Sequence, residues 1–119
     1  MQPSTALTLL SSLALFSSTA SALENAGAFT TWTGAGCDDS TSTGTRWQNI
    51  PSDTCNFLPG ASFKLDFLLG PQQGPQFPRQ CQFRAYAAAG CQGEYVTYLP
   101  RDYDQCKDIT QRLSYQIVC

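Results

Sequence analysis

The feature that most limits this chain is a duplicated cysteine pattern. Cysteines stand at positions 37, 55, 81, 91, 106 and 119. FTTWTGAGC at 29–37 is echoed by FRAYAAAGC at 83–91, and both read Phe-x-x-aromatic-x-x-x-Gly-Cys. The echo continues. Trp47 stands eight residues before Cys55, and Tyr98 stands eight before Cys106. An alternating run follows each second cysteine: Phe63, Leu65, Phe67 in one copy and Leu113, Tyr115, Ile117 in the other. The first copy has a longer interval between its cysteines, which an insertion near DDSTSTGTR at 38–46 explains.

The alternating runs set the secondary structure. In FKLDF one face is apolar and the other charged, and RLSYQIV places Leu113, Tyr115 and Ile117 inward with Ser114 and Gln116 outward. EYVTYL is rich in aromatic and β-branched residues, which suit strands. GAG, PSD, LPG and LPRD supply turns. The expected fold is therefore all-β: two four-strand Greek-key motifs packed face to face as a sandwich or barrel. Residues 70–80, GPQQGPQFPRQ, carry three prolines and two glycines and read as a linker inside one domain rather than a boundary.

A twofold repeat restricts the disulfides. Cys37 corresponds to Cys91, and Cys55 to Cys106. Two sets respect that symmetry. One joins Cys37 to Cys106 and Cys55 to Cys91, lacing the copies together, with Cys81–Cys119 as the third bridge. The other joins Cys37 to Cys55 and Cys91 to Cys106, each within a copy. Each bridge adds roughly 2–4 kcal/mol by restricting the unfolded chain, and the interlaced set, closing longer loops, constrains it more.

Residues 1–22 read as a secretory signal: a short apolar stretch at 7–16, then Ala20-Ser21-Ala22 as a small-residue cleavage site. It lacks the usual early Lys or Arg. Residues 23–119 form the expected single domain, extracellular and without a membrane span. Paired cysteines fit that oxidising setting. The net charge of −2 argues against nucleic acid and against anionic membranes as partners.

Three segments look familiar as a set. AFTTWTGAGC at 28–37 is similar to the N-terminus of the macadamia-type plant antimicrobial proteins. AYAAAGCQG and the ending YQIVC resemble that family's internal segment and closing strand. The resemblance implies a βγ-crystallin-like fold and supports Cys37–Cys106 with Cys55–Cys91. It gives Cys81 no counterpart, because the family's remaining cysteine sits elsewhere. It implies a secreted defence role, with antimicrobial action the leading version. The fold is shared with yeast killer toxins and a bacterial metalloproteinase inhibitor, so fold alone does not fix function. The plant proteins are strongly basic and this chain is not, so cationic attack on membranes does not carry over.

Candidate sites are few. The chain has no histidine, which removes Ser-His and Cys-His nucleophile pairs. Glu94, Asp102, Asp104 and Asp108 read as solvated turn charges, and the chain is expected to be no enzyme and to need no cofactor. Asp38 and Asp39, followed by Ser40, are the candidate calcium ligands, although calcium needs several oxygens around one point. Tyr95, Tyr98 and Tyr103 are read as alternate faces of a strand, with one as a possible surface anchor. Trp32 and Tyr86, at matching positions, read as structural, and Gly36 and Gly90 as turn residues. The expected partner is an extracellular protein or a microbial or host surface. The alternatives are a proteinase inhibitor presenting residues 70–80 or 100–105, and a calcium-binding or structural crystallin-like module.

Overall fold

The computed structural model describes residues 23–40, 43–71 and 79–119. The signal at 1–22 lies outside them, as does most of the Pro-rich linker. Eight strands follow in order: β1 (Gly27–Trp32), β2 (Thr45–Ile50), β3 (Asn56–Phe57), β4 (Ser62–Leu68), β5 (Gln82–Ala88), β6 (Gln92–Tyr98), β7 (Lys107–Asp108) and β8 (Ser114–Val118). A short 3-10 turn at Pro100–Asp102 precedes β7. Two four-stranded antiparallel sheets result, ordered β2-β1-β4-β7 and β3-β8-β5-β6.

Each half supplies three strands to its own sheet and sends its third, two-residue strand to the other. β3 pairs with β8, and β7 pairs with β4. The exchange is symmetric down to single hydrogen bonds. Asp53 N donates to Ile117 O, and Asp104 N donates to Leu65 O. Leu58 N donates to Leu113 O, and Ile109 N donates to Ala61 O. Asp53 and Asp104, each two residues before a cysteine, both have left-handed φ, 60° and 61°.

The duplicated Gly-Cys corners are built alike. Gly36 and Gly90 have φ of 81° and 72°, and Cys37 and Cys91 follow at 51° and 56°. Buried Ser62 Oγ donates to Gly34 O and accepts from Cys37 N. Buried Ser114 Oγ donates to Ala88 O and accepts from Cys91 N. A serine at the start of each last strand thus satisfies backbone groups that the sharp corner leaves without ladder partners.

The bridges are Cys37–Cys106, Cys55–Cys91 and Cys81–Cys119. This is the interlaced set. Cys55 and Cys106 lie directly before β3 and β7, so two bridges anchor the exchanged strands, which are too short to hold register alone. Between the sheets lies a core of Phe29, Phe63, Phe83, Leu58, Leu65, Ile109, Tyr115 and Ile117. Its aromatic centre is tight: Phe29, Phe63 and Tyr115 each have ring centroids within 5.1 Å of Phe83.

Two face assignments need correction. Leu113 is 46% exposed, whereas Ser114 is buried. Leu113 lies just before β8, its N donating to Tyr86 O and its O accepting from Leu58 N, and its side chain is left outside, while Ser114 turns inward to bond the corner. Phe67 is only half-buried and Leu68 takes the inward place, because a bulge opposite Ala28 and Phe29 shifts the register of β4.

Candidate functional site: an aromatic cleft in one copy

β2 is the edge of one sheet and β3 the edge of the other. Where these edges meet, a cleft of about 360 Å³ opens, lined by Phe29, Trp47, Asn56, Phe57, Pro59 and Tyr115. Strand register explains who is there. Phe29 and Trp47 are cross-strand partners, so their side chains share a face. Asn56 and Tyr115 are partners across β3 and β8. Phe29 and Tyr115 form the buried floor. Trp47 and Phe57 form the walls and are 39% and 70% exposed.

The Trp47 wall is fixed in place. Its ring stacks on Phe29 with a centroid distance of 6.4 Å, and its Nε1 donates to Thr31 Oγ1 at 3.0 Å. At the floor, burial pushes the Tyr115 hydroxyl pKa up to about 12, partly offset by a hydrogen bond from the Asn56 side chain. Asn56 Nδ2 also donates to Thr54 O. No lining side chain carries a charge at neutral pH.

The twin position in the other copy is closed. There Phe83 pairs with Tyr98, and Phe63 pairs with Lys107. Tyr98 packs edge-on against Phe63 at 5.1 Å, and Lys107 Nζ lies 5.9 Å from the Tyr98 ring centroid. Lys107 is held there by Asp102 at 3.6 Å. Asp108 replaces Phe57, and it turns back to accept from Thr110 N and Oγ1. The open and closed clefts are thus the same construction with different side chains.

The sequence-derived candidates fall elsewhere. Asp39 Oδ1 accepts from Trp32 Nε1 at 2.6 Å and from Gly44 N at 3.0 Å, and the indole bond foremost holds its carboxyl below the usual range. Asp38 Oδ1 accepts from Ser40 N, which likewise lowers its pKa. Asp39 thus ties the loop to Trp32, while Asp38 braces the loop internally. A Cβ on Gly44 would meet the Trp32 ring at 2.7 Å, which explains the glycine. Among the described residues no three His, Cys, Asp or Glu side chains come together as a metal group. Asp102 caps the turn after Leu99 and pairs with Lys107, so it too has a local structural task.

The three tyrosines separate. Tyr98 is half-buried and packs against the core, and Tyr103 Oη bonds the backbone of Leu68. Tyr95 is exposed beneath Arg84, whose guanidinium carbon lies 4.9 Å from its ring centroid. The 3-10 turn at Pro100–Asp102 and the backbone bonds of Asp104 to Leu65 and Gln105 to Asp102 tie residues 100–105 to their own fold, unlike the extended segment that pairs its backbone in another protein's groove. Residues 70–80, the other inhibitor candidate, lie mostly outside the described residues.

Sequence reasoning used Trp47 only as a repeat marker and passed over Asn56 and Phe57. A signal was present. Aligned on the second cysteine, Cys55-Asn-Phe faces Cys106-Lys-Asp. An apolar ring opposite an aspartate is where the copies part. Comparison with protein-family models, curated proteins and solved structures finds no significant match to this chain.

Proposed function

We propose that this chain is a secreted, non-enzymatic recognition protein of the defence or host-interaction type, effector-like in size, acting through the Trp47 cleft. One observation carries the reading: a preformed aromatic cleft is open in one copy of a duplicated fold and filled in its twin. A preformed, mostly apolar cavity with a few polar groups is the usual form of a ligand site. The rest of the molecule suits a rigid platform for it. Two bridges lace the halves, a third closes the second half on itself, and all three fit an oxidising compartment. No described helix is long and apolar enough to cross a membrane. All six cysteines are paired and histidine is absent, so neither thiolate nor imidazole is on hand for covalent catalysis.

The antimicrobial version comes from the resemblance to the macadamia-type proteins. With a net charge of −2 it would work by recognising a surface component rather than by cationic attack. The test applies the oxidised secreted protein and its Trp47→Ala variant to growing microbial cultures and to intact cells. Growth inhibition and saturable retention on cells, both lost in the variant, are expected. Absence of inhibition at high concentration removes the antimicrobial version. Retention unchanged by Trp47→Ala removes the cleft as the recognition site.

A further inference from the structure

The chemistry of the cleft narrows what it takes, given the reading of that cleft as the binding site. Its six lining residues include no ammonium, guanidinium or carboxylate. A charged ligand would give up its hydration there with no opposite charge in return. The occupant is therefore neutral. A volume of about 360 Å³ lies at the small end of ligand cavities, enough for one ring with its substituents.

Apolar and polar surfaces are segregated inside it. Trp47, Phe57 and Pro59 offer flat apolar walls, while the Asn56 amide and the Tyr115 hydroxyl sit together across the β3–β8 pair. An alkyl chain would cover that amide and hydroxyl without replacing the water that each bonds, at a cost of roughly 1–3 kcal/mol per group. A pyranose ring meets both demands. Its C–H face carries slight positive charge and suits the negative π-face of an indole. Its ring-edge hydroxyls both donate and accept, as do an amide and a phenol. The indole plane is already fixed by Thr31 and Phe29, so little ordering is needed on binding.

We propose that the Trp47 cleft binds one neutral pyranose of an uncharged glycan, its C–H face on the Trp47 indole and its hydroxyls toward Asn56 and Tyr115. The chain contains two tryptophans, which supplies the test. The Trp32 indole is 8% exposed and donates to Asp39, so it serves as an internal reference. The oxidised secreted chain is labelled with nitrogen-15, and its two indole N–H signals are assigned with Trp47→Phe. Uncharged trisaccharides of glucose, mannose, galactose or N-acetylglucosamine are then titrated in. The expected result is a saturable shift of the Trp47 signal with at least one trisaccharide while the Trp32 signal stays still. Asn56→Ala, a change at a half-buried edge position, should weaken that binding at least tenfold. If a proline-rich peptide or hexanol moves the Trp47 signal and no trisaccharide does, the glycan assignment falls and the cleft survives as a binding site. If nothing moves it, the reading of the cleft as a site falls as well.

Discussion

Asn56 and Lys107 occupy the same place in the two copies, each directly after a bridged cysteine, and they leave opposite results. Lys107 extends over Tyr98 and closes its cleft, whereas Asn56 stops at the floor beside its strand partner Tyr115. The neighbouring pair acts the same way. Asp108 folds back on Thr110, and Phe57 stands out into solvent. Because β3 and β7 are held by equivalent bridges and equivalent backbone bonds, the difference lies in side chains and not in the frame.

The equivalence of the two corners is open to a paired mutation. Ser62→Ala and Ser114→Ala each strip a part-buried carbonyl and a part-buried amide of their partner. Each should cost roughly 1–3 kcal/mol, with closely similar losses for the two. Urea midpoints at constant m-value measure both. A large loss at one corner and none at the other would contradict the pseudo-twofold account.

Gly60 is required by both conformation and space. Its φ is 94°, and an added Cβ would sit 2.7 Å from the Trp32 carbonyl oxygen. Gly60→Ala should therefore destabilise by more than about 1 kcal/mol. Gly70→Ala is the control, since its nearest neighbour is a Gln80 side-chain oxygen at 3.6 Å. That change should stay within about 0.5 kcal/mol by thermal or urea denaturation.

Tyr115 links stability to alkaline pH. Its folded pKa is raised from 10.0 to about 12, chiefly by burial. The unfolded chain ionises first, so between those values the native state holds more protons. Stability from this group is intact below pH 10 and is lost as pH rises toward 12. Tyr98, also raised by burial, acts in the same direction. Absorbance titration of phenolate in the folded protein should show late ionisation, and Tyr115→Phe should flatten the alkaline fall in denaturation midpoint.

Much of the frame is legible in the sequence because its signals are periodic or repeated. Alternation marks β4 and β8, and the Gly-Cys echo marks the corners. The repeat also selects two symmetric bridge sets, of which the interlaced one forms. What escapes is short or non-periodic. β3 and β7 have two residues each, too few for a pattern. Leu113 obeys the alternation yet its side chain is exposed just before β8, and Ser114 is polar yet buried because it serves the corner. Asp39 reads in sequence as a metal-ligand candidate, and what the sequence does not show is that its Oδ1 accepts from Trp32 and Gly44. The cleft is hardest to foresee, since it arises where two sheet edges from distant parts of the chain meet. Its trace in the sequence is the departure of Asn56-Phe57 from Lys107-Asp108.

Recognition through the open cleft, and not through its filled twin, is tested most directly by converting one into the other. Asn56→Lys with Phe57→Asp gives the open side the residues of the closed one. Retention on intact microbial cells is compared between this double variant and the unaltered oxidised protein, with urea midpoints as the check on folding. The expected result is an unchanged midpoint within about 1 kcal/mol and near-complete loss of retention. Full retention by a correctly folded double variant would contradict it.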